Sequence, residues 1–184
     1  MNKRIYNAPL YEKVVIMKIE QRKCHGYDYA VFHIPINDGM VYMKQRLQPS
    51  DEDCYFVIFV DRYRFESVWF KGGSGVAPEL ARGNEKAWRK DYKFHHAERG
   101  FSHGIENPVP LAVMQANYDY PRVGFTDGIT RTVWLLANGA KNFPLFAFNK
   151  KTAEYLYKYI GIKGSKVFSN NELITYLNDG LWRK

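Results

Sequence analysis

The sequence predicts a single α+β domain in which strands come first and helices and strands are mixed later. Three observations predict this class. β-branched and aromatic side chains dominate the first 70 residues, helix-capping signals occur only later, and 184 residues suffice for one hydrophobic core but are few for two domains. We expect one domain over residues 1–184, with a β-rich part over 1–75 and a second part over 76–184.

The first part contains apolar segments of strand length separated by polar turns. Asn37-Asp38-Gly39 predicts a hairpin turn, because Asp-Gly tolerates the positive φ of tight turns. The predicted strands cover residues 12–20, 27–34, 40–43, 54–60 and 67–70. We expect them to form an antiparallel meander.

The middle of the chain is polar and rich in glycine. The run Gly72-Gly73-Ser74-Gly75 lacks the Lys-Ser/Thr ending of a P-loop and predicts a flexible hinge. Residues 78–91 predict an exposed helix weakened by Gly83. Residues 92–107 show no periodicity and predict a long ordered loop, a type of segment that often carries function.

The second part mixes strands with capped helices. Ser169 and Glu172 have the spacing of a capping box that opens the last helix. The predicted elements are a strand ending near Phe125, a helix over 130–138 stopped by Gly139, a strand over 143–148, a helix from Asn149 or Thr152 through Ile160, and a helix ending at Asn178.

Charge and composition indicate a soluble protein with a polyanionic partner. The net charge is +8, and the excess lies mainly in residues 1–23 and 141–184. No apolar run reaches the roughly 18–20 residues of a membrane span, so we expect a cytoplasmic protein with no membrane insertion. Cys24 and Cys54 are expected to be reduced thiols, and no Cys or His spacing predicts a metal site.

The strongest candidate site is the segment from Gly124 to Thr132. A strand that delivers Asp127 and Gly128 into a helix places backbone N–H groups, the hydroxyls of Thr130 and Thr132, and one guanidinium at the positive end of that helix. We expect these groups to bind a phosphate, with Ile129 supplying its backbone and Arg131 neutralising charge. The alternative is structural: Asp127 or Thr130 caps the helix and Arg131 pairs with a neighbouring carboxylate.

The expected loop over 92–107 supplies further candidates. Lys93 and His103 are candidate phosphate partners, and Glu98 is a candidate catalytic carboxylate beside Asp127 and Arg131. Asp91 and Glu106 are the other carboxylates close to the segment in sequence. In a hydrolytic reaction, Asp127 or Glu98 would hold Mg²⁺ or orient water.

The spacing around this turn resembles the signature of the ParB/sulfiredoxin superfamily. Gly128 is followed by Arg131 after three residues, Gly139 after eleven and Pro144 after sixteen, and Asn107-Pro108 resembles the Asn-Pro box that precedes the signature. The resemblance implies a ParB/sulfiredoxin-like fold for residues 76–184. Ile129 stands where sulfiredoxins carry their catalytic cysteine, and no second polar box for CTP follows the turn.

A narrower resemblance is carried by Trp88-Arg89-Lys90-Asp91-Tyr92-Lys93, Ala97–Gly104, Asn107–Ala112 and Phe125–Thr132. Together these segments resemble the plasmid fertility inhibition factor family. The resemblance implies suppression of conjugative DNA transfer through a type IV secretion system, ATPase and DNase activities with ATP and Mg²⁺ as cofactors, and DNA as a partner. The alternative is a non-enzymatic interaction module that blocks a secretion coupling protein.

Overall fold

The computed structural model describes residues 17–72, 78–118 and 122–180. Its strands are β1 (Ile19–Cys24), β2 (Tyr27–Ile36), β3 (Gly39–Arg46), β4 (Phe56–Asp61), β5 (Val109–Pro110), β6 (Ala112–Asn117), β7 (Arg122–Asp127), β8 (Asn142–Ala147) and β9 (Phe168–Ser169). Its helices are α1 (Arg62–Gly72), α2 (Pro78–Ala81), α3 (Glu85–Trp88), α4 (Phe94–Ser102), α5 (Ile129–Ala137), α6 (Lys150–Ile160) and α7 (Asn170–Asn178), with a 3-10 helix, η1 (Gly104–Glu106), after α4. The predicted α+β class with a β-rich N-terminal half is confirmed.

The first sheet has the order β1-β2-β3-β5. Its first three strands form an antiparallel meander, and β5 pairs in parallel with β3 at the edge. Asn37 and Asp38 form the turn between β2 and β3, and Gly39 has a φ of 139°. The predicted hairpin is therefore confirmed, whereas most of the strand predicted over residues 12–20 lies outside the described residues.

The second sheet has the order β7-β6-β8-β4-β9 and is mixed, because β6 and β8 run in parallel. The prediction that residues 54–60 continue the first meander is wrong. Five of the six residues of β4 are buried, and β4 lies between β8 and β9 in the second sheet. A strand buried on both faces belongs in the interior of a covered sheet, not at the end of a meander.

One cluster of buried apolar side chains includes members of both sheets. Phe32 of β2 meets Phe59 of β4 edge to face, with ring centroids 6.1 Å apart. Elsewhere in the same cluster, Phe101 of α4 stacks on Trp134 of α5, with ring centroids 4.4 Å apart. None of the described helices is long and apolar enough to cross a membrane.

Residues 67–70 lie in helix α1, so the strand predicted there is wrong. Phe65, Val68 and Trp69 follow the i, i+3, i+4 spacing of a helix face, and Phe65 and Trp69 are buried. The carboxylate of Asp61 accepts a hydrogen bond from the backbone N–H of Arg64 at 2.9 Å and so satisfies a free donor of the first turn.

The long loop predicted over residues 92–107 contains helices α4 and η1 instead. Phe94, Ala97 and Phe101 are buried along one face of α4, and this face packs on α5. The helix predicted over 78–91 is broken into α2 and α3. A Cβ at Gly83 would lie 3.0 Å from the indole nitrogen of Trp88, and Asn84 starts α3 by capping Ala87. The predicted hinge over Gly72–Gly75 lies mostly outside the described residues.

The helices of the second part begin and end close to their predicted bounds. Gly139 has a φ of 83° directly after α5, the side chain of Asn149 caps α6, and Ser169 and Glu172 form the predicted capping box. These signals are local hydrogen-bonding patterns, which explains why the sequence alone is sufficient to identify them.

Candidate functional site

The candidate site lies where β7 passes through Gly128 into α5. Gly128 has a φ of 89° and a ψ of 15°, the left-handed conformation that glycine adopts without strain. A Cβ at this position would lie 2.6 Å from the Cβ of Ala112 on β6. The turn therefore requires glycine both for its backbone angles and for its close approach to the neighbouring strand.

Asp127 and Arg131 flank this glycine and bind each other. Arg131 donates to the carboxylate of Asp127 at 2.8 Å, and the side chains are 21% and 69% exposed for Arg131 and Asp127. The hydrogen bond from Arg131 lowers the pKa of the Asp127 carboxyl below its ordinary value, and the backbone N–H of Gly128 acts in the same direction. The pairing of Arg131 with a neighbouring carboxylate, the structural alternative, is thus present.

Arg131 nevertheless retains an unused donor. Its terminal amino group also reaches the carbonyl oxygen of Leu111 at 3.4 Å, while its Nε is buried and has no hydrogen-bond partner in the described part of the chain. Gly128 offers no side chain to cap α5, and the carboxylate of Asp127, which accepts from the N–H of Gly128, is the anion that the structure places beside this helix end. The buried Nε cannot reach a ligand, so an anion beside the turn would be bound by the terminal amino groups of Arg131 and by the N–H groups of the helix end.

The predicted hydroxyl donor Thr132 has a different role. Its side chain is 1% exposed and donates to the carbonyl oxygen of Gly128 at 3.2 Å. We correct its assignment accordingly: the hydroxyl of Thr132 holds the first turn of α5 and does not face a ligand. Ile129 and Thr130 are half-buried in that first turn, where their backbone N–H groups belong to the helix N-terminus.

Two of the remaining candidates, Lys93 and His103, lie at opposite ends of helix α4, which packs on α5. Arg89 donates to the carbonyl oxygen of Ala137 at the end of α5, whereas Phe101 stacks on Trp134 nearer its middle. The start of α4, where Lys93 precedes the first residue, therefore lies towards the end of α5 that is remote from Gly128. His103 follows the other end of α4 and is exposed.

The carboxylates near the site remain apart. Within residues 17–72, 78–118 and 122–180, no three His, Cys, Asp or Glu side chains are close enough together to hold a metal ion. Asp91 accepts from the backbone of Lys93 at 3.0 Å, and Glu106 lies 3.5 Å from Arg22. Glu98 lies exposed on α4, so Asp127 is the carboxylate that the structure places at the turn.

Leu111 and Ala112 contribute to the site in ways that the sequence does not indicate. The carbonyl oxygen of Leu111 positions Arg131, and Ala112 provides the small side chain against which Gly128 packs. Both follow the Asn-Pro box, but their roles depend on β6 lying beside the turn. Sequence spacing carries no signal for that contact.

Comparisons with known proteins agree on one family. A family model described as plasmid fertility inhibition factor matches residues 57–161. Protein osa of Shigella flexneri is 31% identical over 148 residues, which are 79% of this chain and 76% of that protein. The crystal structure of Oncogenic Suppression Activity Protein, a plasmid fertility inhibition factor solved as a gold(I) cyanide derivative, is 23% identical, covers 91% of this chain and 87% of its own, and has a TM-score of 0.72.

Proposed function

The chain belongs to the plasmid fertility inhibition factor family, and on that premise we propose that it suppresses conjugative DNA transfer through a type IV secretion system in the bacterial cytoplasm. We further propose that the turn from Asp127 to Arg131 is the site through which it does so, by binding a phosphate of a nucleotide or of the transferred DNA.

The position of Arg131 is the main observation that supports the phosphate site. Arg131 stands in the first turn of α5 with its side chain 21% exposed, beside a helix end that has no side-chain cap from Gly128. A phosphate placed there would accept from the guanidinium and from backbone N–H groups of the first helical turn. Gly128 itself is packed against Ala112 and contributes the left-handed turn that starts the helix.

The residues at the turn also fit the ATP and Mg²⁺ that the family resemblance implies. Mg²⁺ is commonly held by one or two carboxylates together with phosphate oxygens and water. Asp127 is 69% exposed, and its lowered pKa keeps it ionised at neutral pH. When bound, Mg²⁺ would neutralise charge on the phosphate oxygens. Asp127 would hold the ion, and Arg131 would orient the phosphate.

Replacement of Arg131 tests this site. In Arg131→Ala we expect binding of ATP or of DNA ends to weaken by at least tenfold, because roughly one charge-assisted hydrogen bond is removed. Any Mg²⁺-dependent hydrolysis that survives repurification of the parent chain should disappear together with that binding. Equilibrium binding, phosphate release and DNA cleavage would be measured on protein with an unchanged melting temperature.

Arg62→Ala is the matched control for this experiment. Arg62 is the first residue of α1, is 22% exposed and pairs with Glu66 four residues away at 2.9 Å. The control variant therefore removes the same kind of ion pair at another site. Equal binding in Arg131→Ala and in the parent chain would overturn the proposed phosphate site.

The non-enzymatic alternative has its own supporting observation. Asp127 and Arg131 bind each other, and large aromatic side chains are exposed elsewhere, among them Tyr63 at 71%, Tyr92 at 75% and Phe148 at 59%. Such side chains are common anchors of protein interfaces. If the protein acts by blocking a secretion coupling protein, Arg131→Ala should still suppress transfer in a mating assay. Loss of suppression in that folded variant would exclude this alternative.

A further inference from the structure

The outer face of the first sheet carries aromatic and basic side chains next to each other. Arg22 of β1 lies opposite Tyr29 of β2, which lies opposite Arg46 of β3, and directly opposed residues share a face. Tyr27 and Lys44 are two positions away along their strands and lie on the same face. We call these five residues the sheet platform; on the opposite face, Ala30, Phe32 and Met43 are buried in the core.

Two of the aromatic rings are already paired with cations. The guanidinium carbon of Arg46 lies 3.7 Å from the ring centroid of Tyr27, and Nζ of Lys44 lies 5.1 Å from that of Tyr29. Tyr27 is 48% exposed. The hydroxyl of Tyr55 donates to the carbonyl oxygen of Arg46 at 2.9 Å and fixes the end of β3. The platform thus presents an exposed, stacked pair of flat groups on a fixed strand end.

The charge of the platform is only partly compensated. Arg22 has two carboxylate neighbours, Glu20 at 3.9 Å and Glu106 at 3.5 Å. Over the described residues, neither Lys44 nor Arg46 forms an ion pair with a carboxylate, and Lys44 donates to the side chain of Asn107 at 3.1 Å. Two cations beside the exposed ring of Tyr27 and the half-buried ring of Tyr29 complement a polyanion that also offers flat rings.

We propose that the sheet platform binds single-stranded nucleic acid, with a base stacked on the Tyr27–Arg46 pair and phosphates beside Lys44 and Arg46. Base faces are accessible in a single strand and hidden in a duplex, and aromatic rings with cations are the usual means of binding them. A cleft of about 60 Å³ between the platform and η1 has room for water and not for a base. The base therefore stacks at the open end, on Tyr27.

The platform adjoins the Gly128 turn through one residue. The N–H of Leu111 donates to the carbonyl oxygen of Lys44 at 3.1 Å, and the carbonyl of Leu111 accepts from Arg131. Leu111 thus connects the backbone of β3 to the guanidinium of the proposed phosphate site. The platform precedes residue 57 and lies outside the matched family region. The inference rests on the proposed function only for the identity of the strand, the transferred DNA.

Fluorescence anisotropy with a labelled oligothymidylate of about 20 nucleotides tests the platform. Tyr27→Ala should weaken binding roughly 5- to 100-fold, the range for removal of one stacked base, whereas Tyr27→Phe keeps the ring and should bind like the parent. Arg46→Ala should weaken binding and reduce the slope of log affinity against log salt by about 0.7 for each phosphate that is no longer neutralised. Lys158→Ala is the matched control, because its Nζ lies 5.2 Å from the ring centroid of Tyr159 on α6.

The outcomes separate this inference from the proposed function. Parent-like affinity in folded Tyr27→Ala overturns the platform, as does duplex DNA that binds more tightly than the single strand. Competition with a poly-glutamate peptide gives a further test. If the peptide displaces the oligonucleotide, and if its own binding is weakened by Arg46→Ala but not by Tyr27→Ala, the platform is overturned, because charge alone would then explain binding. Tighter binding of an oligouridylate than of the oligothymidylate would contradict the transferred DNA as the strand that the platform binds. A chain that binds the oligonucleotide through Tyr27 but leaves mating frequency unchanged supports the platform and contradicts the proposed function.

Discussion

Gly128 meets two separate demands at the start of α5. Its φ is 89°, which costs other residues about 1–2 kcal/mol, and an added Cβ would lie 2.6 Å from the Cβ of Ala112. We therefore expect Gly128→Ala to lower the free energy of unfolding by about 2–4 kcal/mol, because β6 or the turn must shift to admit the methyl group. Urea denaturation monitored by circular dichroism would measure the change.

Gly124→Ala on the adjoining strand is the control for that prediction. A Cβ at Gly124 meets nothing within 4 Å, and its φ lies outside the left-handed region. Its stability should stay within about 0.5 kcal/mol of the parent or rise slightly, since alanine restricts the unfolded chain. Equal stabilities for the two variants would show that the turn tolerates a side chain.

Asp127 should titrate below its ordinary range because Arg131 hydrogen-bonds the ionised carboxylate. Since the pKa in the folded state is lower than in the unfolded state, the pair stabilises the protein above pH 3.8, and this contribution disappears as the pH falls through the folded-state pKa. The effect on stability is small, because the Asp127 side chain is 69% exposed.

Carboxyl carbon NMR titration would measure this pKa directly. In Arg131→Ala the pKa of Asp127 should rise towards its ordinary value, and in Arg62→Ala it should not change. A carboxyl that titrates at or above pH 3.8 in the parent chain would contradict the geometry of the pair.

At the scale of single residues, the sequence predicts positions better than partners. The Gly128–Arg131 spacing locates the turn, because its glycine, helix start and arginine are adjacent in the chain. The prediction of Thr132 as a ligand donor is wrong because its burial depends on how α5 packs, which is a tertiary property. The role of Leu111 could not be predicted either. Leu111 lies 20 residues from Arg131 in the chain, and the two residues come into contact because β6 pairs with β7 in the second sheet.

Among the secondary-structure elements, those with local signals are predictable and those that depend on packing are not. Helices α6 and α7 begin at caps whose donor and acceptor are three residues apart. Part of helix α1 resembles a short strand because Val68, Trp69 and Phe70 form an apolar run, although Phe65 and Trp69 have helical spacing. Short apolar runs fit either period, and only the packing against the second sheet decides between them.

Helix α4 is an element that the sequence analysis predicts as a loop, because its helical face depends on packing. Its histidines and charged residues conceal a sparse apolar stripe of Phe94, Ala97 and Phe101, which becomes a helix face only when α5 covers it. Gly100 adds to the polar, glycine-containing pattern, yet a Cβ there would lie 3.0 Å from Val109. The glycine that makes this segment resemble a loop therefore permits close packing of the helix.

At the scale of the whole molecule, the family match and the hydrophobic core have different extents. The match covers residues 57–161, whereas the core cluster also includes residues of β1, β2 and β3. Phe32 is fully buried against Phe59, which lies inside the matched region. We therefore expect the first sheet to be a required part of one folding unit and not a separable module.

Phe32→Ala tests that expectation, because it should lower the free energy of unfolding by about 3–5 kcal/mol. The described tryptophans, Trp69, Trp88 and Trp134, all follow residue 57 and report the second part by fluorescence, whereas circular dichroism reports both sheets. If the sheets share one core, both signals should move to the same lower urea concentration, as in a two-state transition. Met40→Ala, at a side chain 44% exposed on β3, should shift neither. A fluorescence transition that remains at its parent midpoint while circular dichroism loses the first sheet would show two independent units. The sheet platform could then be studied apart from the Gly128 turn.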